Sequence, residues 1–323
     1  MRIAFLHDWE VCHPQELSWK DGLASALRLL SKKHDVKLFV CGEATLIKHD
    51  YFTIEVTPEG DSLVDNIKAF NPDVILIWGD CTRPHAPLLQ KLKIPMALCF
   101  AGGEPYGANY HCFSHIFVES DVYLKAFQKL GELTGITTSV AFGTNTELFK
   151  PVEKQKKIFD TGMAATYCDW KRYGLFTKSA SGLSAWTAGW MYEDHERYCY
   201  EEPQDEGFLV LPHLSAEALR HLYAATKTLL VTSDRTGGSQ RTVLEALSMN
   251  LPVLVMSDSD KTTEYVRGAG KEGWILPPDP KVIHEALMKD YGEVNTRKYV
   301  LENWSEFIYA NALEEGLLKL CQK

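Results

Sequence analysis

An alternation of short apolar runs around a glycine turn restricts this chain to an α/β fold. Thr228–Val231 and Pro252–Met256 are apolar runs, and each predicts a buried strand. Between them, Gly237 and Gly238 precede the segment 239–249, in which apolar residues recur at helical spacing. The order strand, glycine turn, helix, strand is the repeating unit of a parallel sheet covered by helices.

The glycine turn is also the first candidate binding site. A helix that begins at a glycine turn presents unpaired backbone N–H groups and the positive end of its dipole, and both suit a phosphate. The turn follows a strand, and ligands of α/β sheets bind at the carboxyl ends of the strands. Glu245 lies within this helix, flanked by apolar residues. The pattern alone slightly favours an ordinary helix glutamate with a solvated carboxylate.

Length and composition favour two domains and exclude some partners. A chain of 323 residues is longer than a typical single domain, and its apolar fraction of 45% allows real cores. The net charge of −9 argues against a protein that coats nucleic acid or an anionic membrane, although a local basic patch stays open.

The cysteines and the apolar runs favour a cytoplasmic protein. Eight cysteines are scattered without a Cys-x-x-Cys pair, which is typical of buried thiols in a reducing compartment. We see no secretion signal before the strand at Ile3–Leu6, and no apolar run long enough to predict a transmembrane segment.

The first half of the chain alternates predicted strands and helices. Asp8 follows the first strand, where it is equally a candidate acceptor contact and a turn aspartate. The fourth strand is followed by a glycine-rich loop that contains Gly102, Gly103 and Glu104. This composition at the end of a strand favours a loop of the functional site over a simple connection. The predicted strands are Ile3–Leu6, Val36–Val40, Val74–Trp78, Met96–Phe100, Ile116–Val118 and Val140–Phe142, with helices around 23–30, 63–70 and 88–92.

The second half begins after a charged linker and repeats the α/β alternation. A weak strand is predicted at Ile158–Ala164, and Lys171 and Arg172 are predicted to begin a helix. The segment 184–207 is the least regular, and we interpret its acidic residues as a solvated face. Ser215 is a predicted N-cap. The remaining predictions are strands at Phe208–Leu211 and Trp274–Leu276 and helices at 216–225, 281–289 and 305–320.

Two short motifs suggest metal ligands only weakly. Asp258-Ser259-Asp260 matches an Asp-x-Asp metal signature, but such matches arise often by chance. His111 and His115 have the spacing of two ligands on one helix face, yet no third ligand at suitable spacing accompanies them, which favours packing.

Two segments together resemble family 4 glycosyltransferases of the GT-B architecture. Glu245, followed by Leu251–Val255, resembles the second glutamate and the trailing Pro-Val run of that family's nucleotide-sugar site. Gly143–Pro151 resembles the segment with which these enzymes leave their N-terminal domain. Two charges of the family pattern are missing, because its first glutamate falls on Gly237 and its arginine on Met163.

The resemblance implies a set of site residues. Glu245 would hold the ribose of the donor, and the amides near Gly238 would meet its sugar. Lys171 or Arg172 would stabilise the leaving diphosphate, because a fixed cation beside it lowers the activation barrier. We hypothesise that Arg241 supplies a second positive charge there. It is equally reasonable that Arg241 is a surface residue paired with a neighbouring carboxylate. The implied donor set is His213, Gly237, Gly238, Ser239, Gln240, Arg241, Thr242 and Glu245; the implied catalytic set is Lys171, Arg172 and Glu104; the implied acceptor contacts are Asp8, Gly102 and Gly103.

The resemblance also implies the architecture and the reaction. We expect two Rossmann-like domains facing a cleft: an acceptor domain at 1–150, a linker at 151–157 and a donor domain at 158–323, whose last helix packs back toward the first domain. The expected reaction transfers a sugar from a nucleotide-sugar to an acceptor hydroxyl, with retention of configuration and without a metal or another cofactor. The acceptor is open between a glycan, a small molecule, a protein and modified DNA.

Three alternatives stay open at this point. The first is the same chemistry on a hydroxymethylated DNA base, which would need local cations despite the acidic total. The second is a GT-B protein that binds a nucleotide-sugar without turnover, which the two missing charges favour. The third, a phosphorylase-like or epimerase activity, is allowed because a fold does not fix a function.

Overall fold

The computed structural model describes residues 1–7, 22–48, 51, 53–79, 85–101, 110–130, 133–153, 155–191, 196–238 and 240–322. The chain divides into two compact units. Unit 1 consists of Met1–Gly143 and Glu306–Lys323, and unit 2 of Thr144–Ser305.

Unit 1 is built on an eight-stranded sheet. Its strand order is β3-β4-β2-β1-β5-β6-β7-β8, and every neighbouring pair is parallel except β3 with β4. The strands are β1 (Arg2–His7), β2 (Asp35–Cys41), β3 (Thr45–Lys48), β4 (Thr53–Thr57), β5 (Val74–Trp78), β6 (Met96–Cys99), β7 (His115–Val118) and β8 (Thr137–Val140). The helices are α1 (Gly22–Leu30), α2 (Asp61–Phe70), α3 (Ala86–Leu89), α4 (Asp121–Gln128) and, at the end of the chain, α12 (Glu306–Cys321).

Side chains of β1 alternate between two cores, one on each face of this sheet. Ile3 and Phe5 pack with residues of α1 and α12. Ala4 and Leu6 pack with residues of α2, α3 and α4. Because successive side chains of a strand point to opposite faces, a strand covered on both sides needs a continuous apolar run, and this is why β1 was visible in the sequence.

Unit 2 is built on a six-stranded parallel sheet of order β11-β10-β9-β12-β13-β14. Its strands are β9 (Phe159–Ala164), β10 (Ala185–Ala188), β11 (Leu209–Leu211), β12 (Thr226–Val231), β13 (Val253–Met256) and β14 (Ile275–Leu276). Its helices are α5 (Tyr173–Ala180), α6 (Tyr198–Asp205), α7 (Ala216–Ala224), α8 (Arg241–Ser248), α9 (Asp260–Gly268), α10 (Pro280–Leu287) and α11 (Arg297–Asn303). The order is that of a Rossmann sheet, so the α/β prediction of two Rossmann-like domains is confirmed.

Several helix ends agree with the local signals. Ser215 caps α7, since its hydroxyl accepts a hydrogen bond from the Ala218 amide at 3.3 Å. Asn250 takes a left-handed conformation with φ of 55° directly after the helix region that it was predicted to end. None of the described helices combines the length and the apolar character that a membrane-spanning helix needs.

The structure differs from the predicted elements in four places. The last strand of unit 1 is Thr137–Val140 rather than 140–142, because an edge strand pairs on one side only and tolerates polar residues. Strands β3 and β4 were missed because β3 is a four-residue edge strand and β4 is a five-residue strand interrupted by Glu55. The segment 184–207 contains both β10 and α6. In α12, Ile308 is 39% exposed and does not lie on the apolar face.

Candidate functional site

The candidate site lies where the strand order of unit 2 reverses. From β9 the chain proceeds outward through β10 and β11, then returns to β12 beside β9 and proceeds the other way. Ligands of open α/β sheets bind at such a switch point, outside the carboxyl ends of the two central strands. Residues 168–172 follow β9 and residues 232–241 follow β12, so these two segments form the candidate site.

Hydrogen bonds to backbone carbonyls fix the two segments to each other. The amide of Asp234 donates to the carbonyl of Trp170 at 3.0 Å. The hydroxyl of Thr232 donates to the carbonyl of Lys171 at 2.5 Å. Because both segments are anchored through the main chain, the side chains that they carry are held in place before any ligand binds.

Arg172 joins the ends of three strands. Its Nε donates to the Thr232 carbonyl at 2.5 Å and its Nη2 to the Ser233 carbonyl at 3.0 Å. Its Nη1 and Nη2 also donate to both carboxylate oxygens of Asp258, at 2.7 and 2.9 Å. The guanidinium therefore ties the segment after β9 to the segments after β12 and β13, and its charge is matched by a carboxylate.

The backbone at Arg172 sets the start of the predicted helix. Arg172 has a positive φ of 54°, and it separates a short 3-10 turn, Asp169–Lys171, from α5. The helix that was predicted to begin at Lys171 and Arg172 therefore begins at Tyr173, with Arg172 as its N-cap residue. The Asp-x-Asp match also loses support as a metal signature, because both oxygens of Asp258 are bonded to Arg172.

Lys171 is buried at the site and contacts the glycine turn indirectly. Its ammonium donates a hydrogen bond to Oε1 of Gln240, and the Gln240 amide nitrogen donates to the carbonyl of Gly238. Lys171 and Gln240 are each 8% exposed. The structure thus brings together Lys171, Gly238 and Gln240, which were predicted from separate stretches of the chain.

A second buried lysine lies at the same turn and was missed in the sequence. Lys261 is the second residue of α9, and its ammonium donates to the carbonyls of Arg235 at 3.1 Å and Gly237 at 3.5 Å. The sequence offered one signal for Lys261, which is its position in the helix that follows the apolar strand β13. This strand pairs with β12, so both strands end at the same edge of the sheet. Two ammonium groups therefore contact the glycine-turn region, one from each side of β12.

The turn itself is held by Asp234. Its Oδ1 accepts hydrogen bonds from the amide of Thr236 at 2.8 Å, the hydroxyl of Thr236 at 2.6 Å and the amide of Gly237 at 3.4 Å. This is an Asx turn, in which a side-chain carboxylate replaces a backbone acceptor. A Cβ atom at Gly237 would meet its nearest neighbours at 3.4 and 3.5 Å, so a side chain is sterically acceptable there.

Glu245 is buried rather than solvated. It is 5% exposed, and its Oε2 accepts a hydrogen bond of 3.0 Å from the hydroxyl of Tyr223, which is fully buried. Burial and the neighbouring Glu245 charge raise the pKa of Tyr223 well above its ordinary value, so this phenol stays protonated. The interpretation of Glu245 as a surface glutamate is therefore wrong, and Tyr223 is a further partner that the sequence did not indicate.

Two hydroxyl groups beside the turn lack protein partners. Within the described part of the chain, the buried Ser233 Oγ and Thr242 Oγ1 make no hydrogen bond. Ser233 follows β12, and Thr242 lies in the first turn of α8. Buried hydroxyls without partners cost free energy, so these two atoms are candidates for contacts with a bound ligand or water.

His213 lies apart from this group, whereas Arg241 lies between Gln240 and Thr242 in the chain. His213 is exposed beyond β11, and three strand spacings, about 14 Å, separate β11 from β12. Arg241 is the half-buried first residue of α8. The predicted residues Asp8, Gly102, Gly103, Glu104 and Ser239 lie outside the described residues.

The structure also shows the role of Glu196, in the acidic segment 184–207, and the positions of His111 and His115. Glu196 is 4% exposed and its Oε1 accepts from the Asp169 amide at 3.0 Å, so this acid holds the turn before Lys171 and is not part of a solvated face. His111 lies in a 3-10 turn, and His115 starts β7 and bonds to Thr137 and Ser139. The two histidines therefore do not share a helix face.

Four buried cysteines have the environment of unreactive thiols. Cys99, Cys112, Cys168 and Cys199 are buried, and none of the cysteines in the described ranges forms a disulfide. Burial raises the pKa of Cys168 and of Cys199 to about 12, so both stay protonated thiols.

Comparison with solved structures identifies the fold. The chain superposes on sucrose-phosphate synthase from Thermosynechococcus elongatus with a TM-score of 0.76, 12% identity and coverage of 99% of this chain and 98% of that chain. For α,α-trehalose 6-phosphate synthase from Burkholderia multivorans the TM-score is 0.75, with 11% identity and 99% and 98% coverage. For Anabaena HepE in complex with UDP and glucose the TM-score is 0.72 and the identity is 15%, with coverage of 98% of this chain and 99% of that chain.

These similarities confirm the predicted GT-B fold, since they extend over nearly the whole of each chain. The identities lie far below the level at which a shared activity follows. No protein-family model and no curated protein matches the sequence.

Proposed function

We propose that this protein is a glycosyltransferase that moves a sugar from a nucleotide-sugar donor to an acceptor hydroxyl. The observation that carries the proposal is the pair of buried lysines, Lys171 and Lys261, at a glycine turn on the switch point of unit 2. Two cations beside backbone amides form a site for a diphosphate, and a GT-B chain whose similar structures include one with UDP and glucose supports a nucleotide-sugar.

Glu245 is the proposed ribose contact. A carboxylate accepts two hydrogen bonds from a vicinal diol, and this one is held by the Tyr223 hydroxyl and by burial. Because one oxygen already accepts from Tyr223, the rotation of the carboxylate is restricted and the other oxygen is held toward a fixed position.

Lys171 and Lys261 are the proposed partners of the leaving diphosphate. When the bond between the sugar and the diphosphate breaks, negative charge accumulates on the diphosphate oxygens, and fixed ammonium groups stabilise it more than they stabilise the intact donor. In this proposal Lys261 supplies the charge that is missing at Met163, while Arg172, already paired with Asp258, holds the three segments together.

We further propose transfer with retention and without a catalytic metal. The departing diphosphate oxygen takes the proton of the acceptor hydroxyl while the acceptor oxygen bonds to the anomeric carbon on the same face. The two ammonium groups supply the charge that a divalent cation supplies in other transferases. The expected result is that added Mg²⁺ or Mn²⁺ does not raise the rate.

The test is release of nucleoside diphosphate from a panel of nucleotide-sugars by the purified protein. We expect one donor to be consumed, slowly by hydrolysis and faster with a suitable acceptor from a set of glycans, small molecules, proteins and hydroxymethylated DNA. Lys171→Ala and Lys261→Ala should each lower this rate by about a hundredfold. Lys281→Ala, at an exposed lysine, is the matched control. An equal rate in all four proteins would contradict the proposal.

A second candidate function is nucleotide-sugar binding without turnover. It is favoured by the absence of a charge at Gly237 and at Met163, where the similar transferase family has an acid and an arginine. Tight binding of a nucleotide-sugar, without release of nucleoside diphosphate in the presence of any of the acceptors, would favour this function over transfer.

A further inference from the structure

We propose that unit 1 contains a transition-metal site formed by Cys41, Glu59 and His85. The thiol sulfur, a carboxylate oxygen and an imidazole nitrogen of these residues all lie within 4.8 Å of one another. The three residues come from different parts of the chain, and the sequence gives no local spacing by which they could be recognised. The site belongs to unit 1 alone and does not depend on the proposed transferase function.

The backbone around Cys41 and Glu59 is held in place without a metal. Cys41, the last residue of β2, is aligned with Thr57, the last residue of β4, and the Gly42 amide donates to the Thr57 carbonyl at 2.9 Å. The Asn66 amide of α2 donates to the Thr57 hydroxyl at 2.7 Å. Glu59 therefore lies in a three-residue connection, between the end of β4 and the start of α2, whose ends are both fixed.

His85 is held from the other side by the helix that follows it. It directly precedes α3, whose residues Ala86 and Leu89 are fully buried in the core shared with α2 and α4. The three ligands thus lie at the end of β2, in the connection after β4 and at the start of α3. Metal binding at this point would fasten the end of β2, the connection after β4 and the start of α3 to one another.

The carboxylate of Glu59 and the imidazole of His85 are available to a metal ion. Within the described residues, these two side chains make no hydrogen bond and no ion pair. Ligand atoms around a tetrahedral zinc ion lie roughly 3.3 to 3.6 Å apart, given metal–ligand bonds of about 2.0 to 2.3 Å. The exposed side chain of Glu59 can rotate toward the other two ligands to approach this spacing.

The ligand set selects the class of metal. One thiolate, one imidazole and one carboxylate suit Zn²⁺ or Co²⁺, whereas Mg²⁺ and Ca²⁺ prefer oxygen ligands only. Three protein ligands leave a fourth tetrahedral position for water. We assign to the site a stabilising role in unit 1, because an ion that binds the folded state raises its stability by mass action.

The test is titration of the chelator-treated, full-length protein with Co²⁺, followed by visible and near-ultraviolet absorption. We expect one Co²⁺ per chain, with tetrahedral ligand-field bands and a thiolate charge-transfer band. Cys41→Ser should abolish the charge-transfer band, while Glu59→Gln and His85→Gln should each weaken binding by at least about tenfold. Cys321→Ser and His111→Gln, at an exposed cysteine and an exposed histidine of unit 1, are the matched controls.

Two results would overturn the proposal. One is a wild-type protein without the thiolate charge-transfer band at saturating Co²⁺, a measurement that needs no variant. The other is unchanged Co²⁺ affinity in Glu59→Gln, whose exposed side chain makes this variant safe for folding. A Zn²⁺-dependent rise of the melting temperature in the wild type, lost in Glu59→Gln and kept in His111→Gln, would support the stabilising role.

Discussion

The hydroxyl of Tyr223 donates a 3.0 Å hydrogen bond to Oε2 of Glu245, and both side chains are buried. The bond joins α7 to α8 and fixes the carboxylate to which we assign the ribose contact. Tyr223 acts through Glu245, and in this account it is a positioning residue.

Tyr223→Phe should weaken nucleotide binding without changing turnover at saturating donor. Removing the hydroxyl leaves a buried carboxylate short of one donor, and hydrogen bonds to charged groups contribute about 1.5–3 kcal/mol. We expect a KM for the donor raised by roughly tenfold or more, since every 1.4 kcal/mol corresponds to about a factor of ten. Tyr291→Phe is the control, because its hydroxyl also bonds within unit 2, to the carbonyl of Ala286 at 2.9 Å. Equal donor KM values in the two variants would contradict the positioning role.

Gly237→Glu should be tolerated and should strengthen binding of the donor sugar. A Cβ atom at this position makes only ordinary contacts at 3.4 to 3.5 Å, and the new carboxylate would replace the acid that the family 4 pattern has there. The expected change is tighter binding of the nucleotide-sugar with unchanged binding of the bare nucleoside diphosphate, measured by calorimetry. The isosteric amide, Gly237→Gln, separates the effect of charge from that of size. Weaker binding of both ligands would contradict this prediction.

Gly162→Ala should destabilise unit 2. A Cβ atom on Gly162 would lie 2.0 Å from the indole ring of Trp186, which is fully buried and bonded through Nε1 to Thr226 at 2.8 Å. Because neither ring nor strand can move aside, we expect a loss of about 1–3 kcal/mol or more in the free energy of unfolding. Gly273→Ala, with no heavy atom within 4 Å of its added Cβ, is the control in urea denaturation. Matching midpoints for the two variants would show that the close contact is absent.

His7 should make the stability of unit 1 dependent on pH. Burial lowers the pKa of His7 to about 3, while the unfolded chain keeps the ordinary value of 6.5. Between these values the unfolded state binds a proton that the folded state does not, so stability is complete above the unfolded pKa and is lost as the pH falls. The contribution of His7 to the free energy of unfolding should therefore fall by about 2 kcal/mol between pH 7.5 and pH 5.

Urea denaturation of His7→Asn at both pH values checks this assignment. The pH dependence of the variant should be smaller than that of the wild type by the same amount, whatever its absolute stability. His111→Asn, at an exposed histidine, should keep the full dependence. A wild-type slope retained in His7→Asn would mean that His7 is protonated in the folded protein.

The strands and the glycine turn could be predicted because their signals are local. Buried strands such as β1 and β13 require continuous apolar runs, and a glycine turn before an amphipathic helix is visible within about fifteen residues. The four-residue strand β10 has no such signal, since Ala185–Ala188 is short and Trp186 needs Gly162, more than twenty residues earlier, to make room for its ring.

The contacts that complete the site are not local. Lys261 reaches the carbonyls of Arg235 and Gly237 only because β13 lies beside β12, and Lys171 reaches Gln240 only because β9 lies on the other side. The burial of Glu245 likewise depends on α7, which supplies Tyr223. The order of the strands in the sheet determines which of these side chains come into contact. A sequence pattern identifies the strands but not their order.

The most direct measurement is calorimetric titration of the protein with a panel of nucleoside diphosphates, UDP among them. Glu245→Gln and Lys261→Ala are titrated beside the wild type, with Glu285→Gln at an exposed glutamate as the control. We predict binding of one nucleoside diphosphate at one site per chain, weakened about tenfold to a hundredfold in Glu245→Gln and Lys261→Ala and unchanged in Glu285→Gln. Binding of none of the diphosphates, or equal binding in all four proteins, would contradict the assignment of a nucleotide-sugar site to the glycine turn of unit 2.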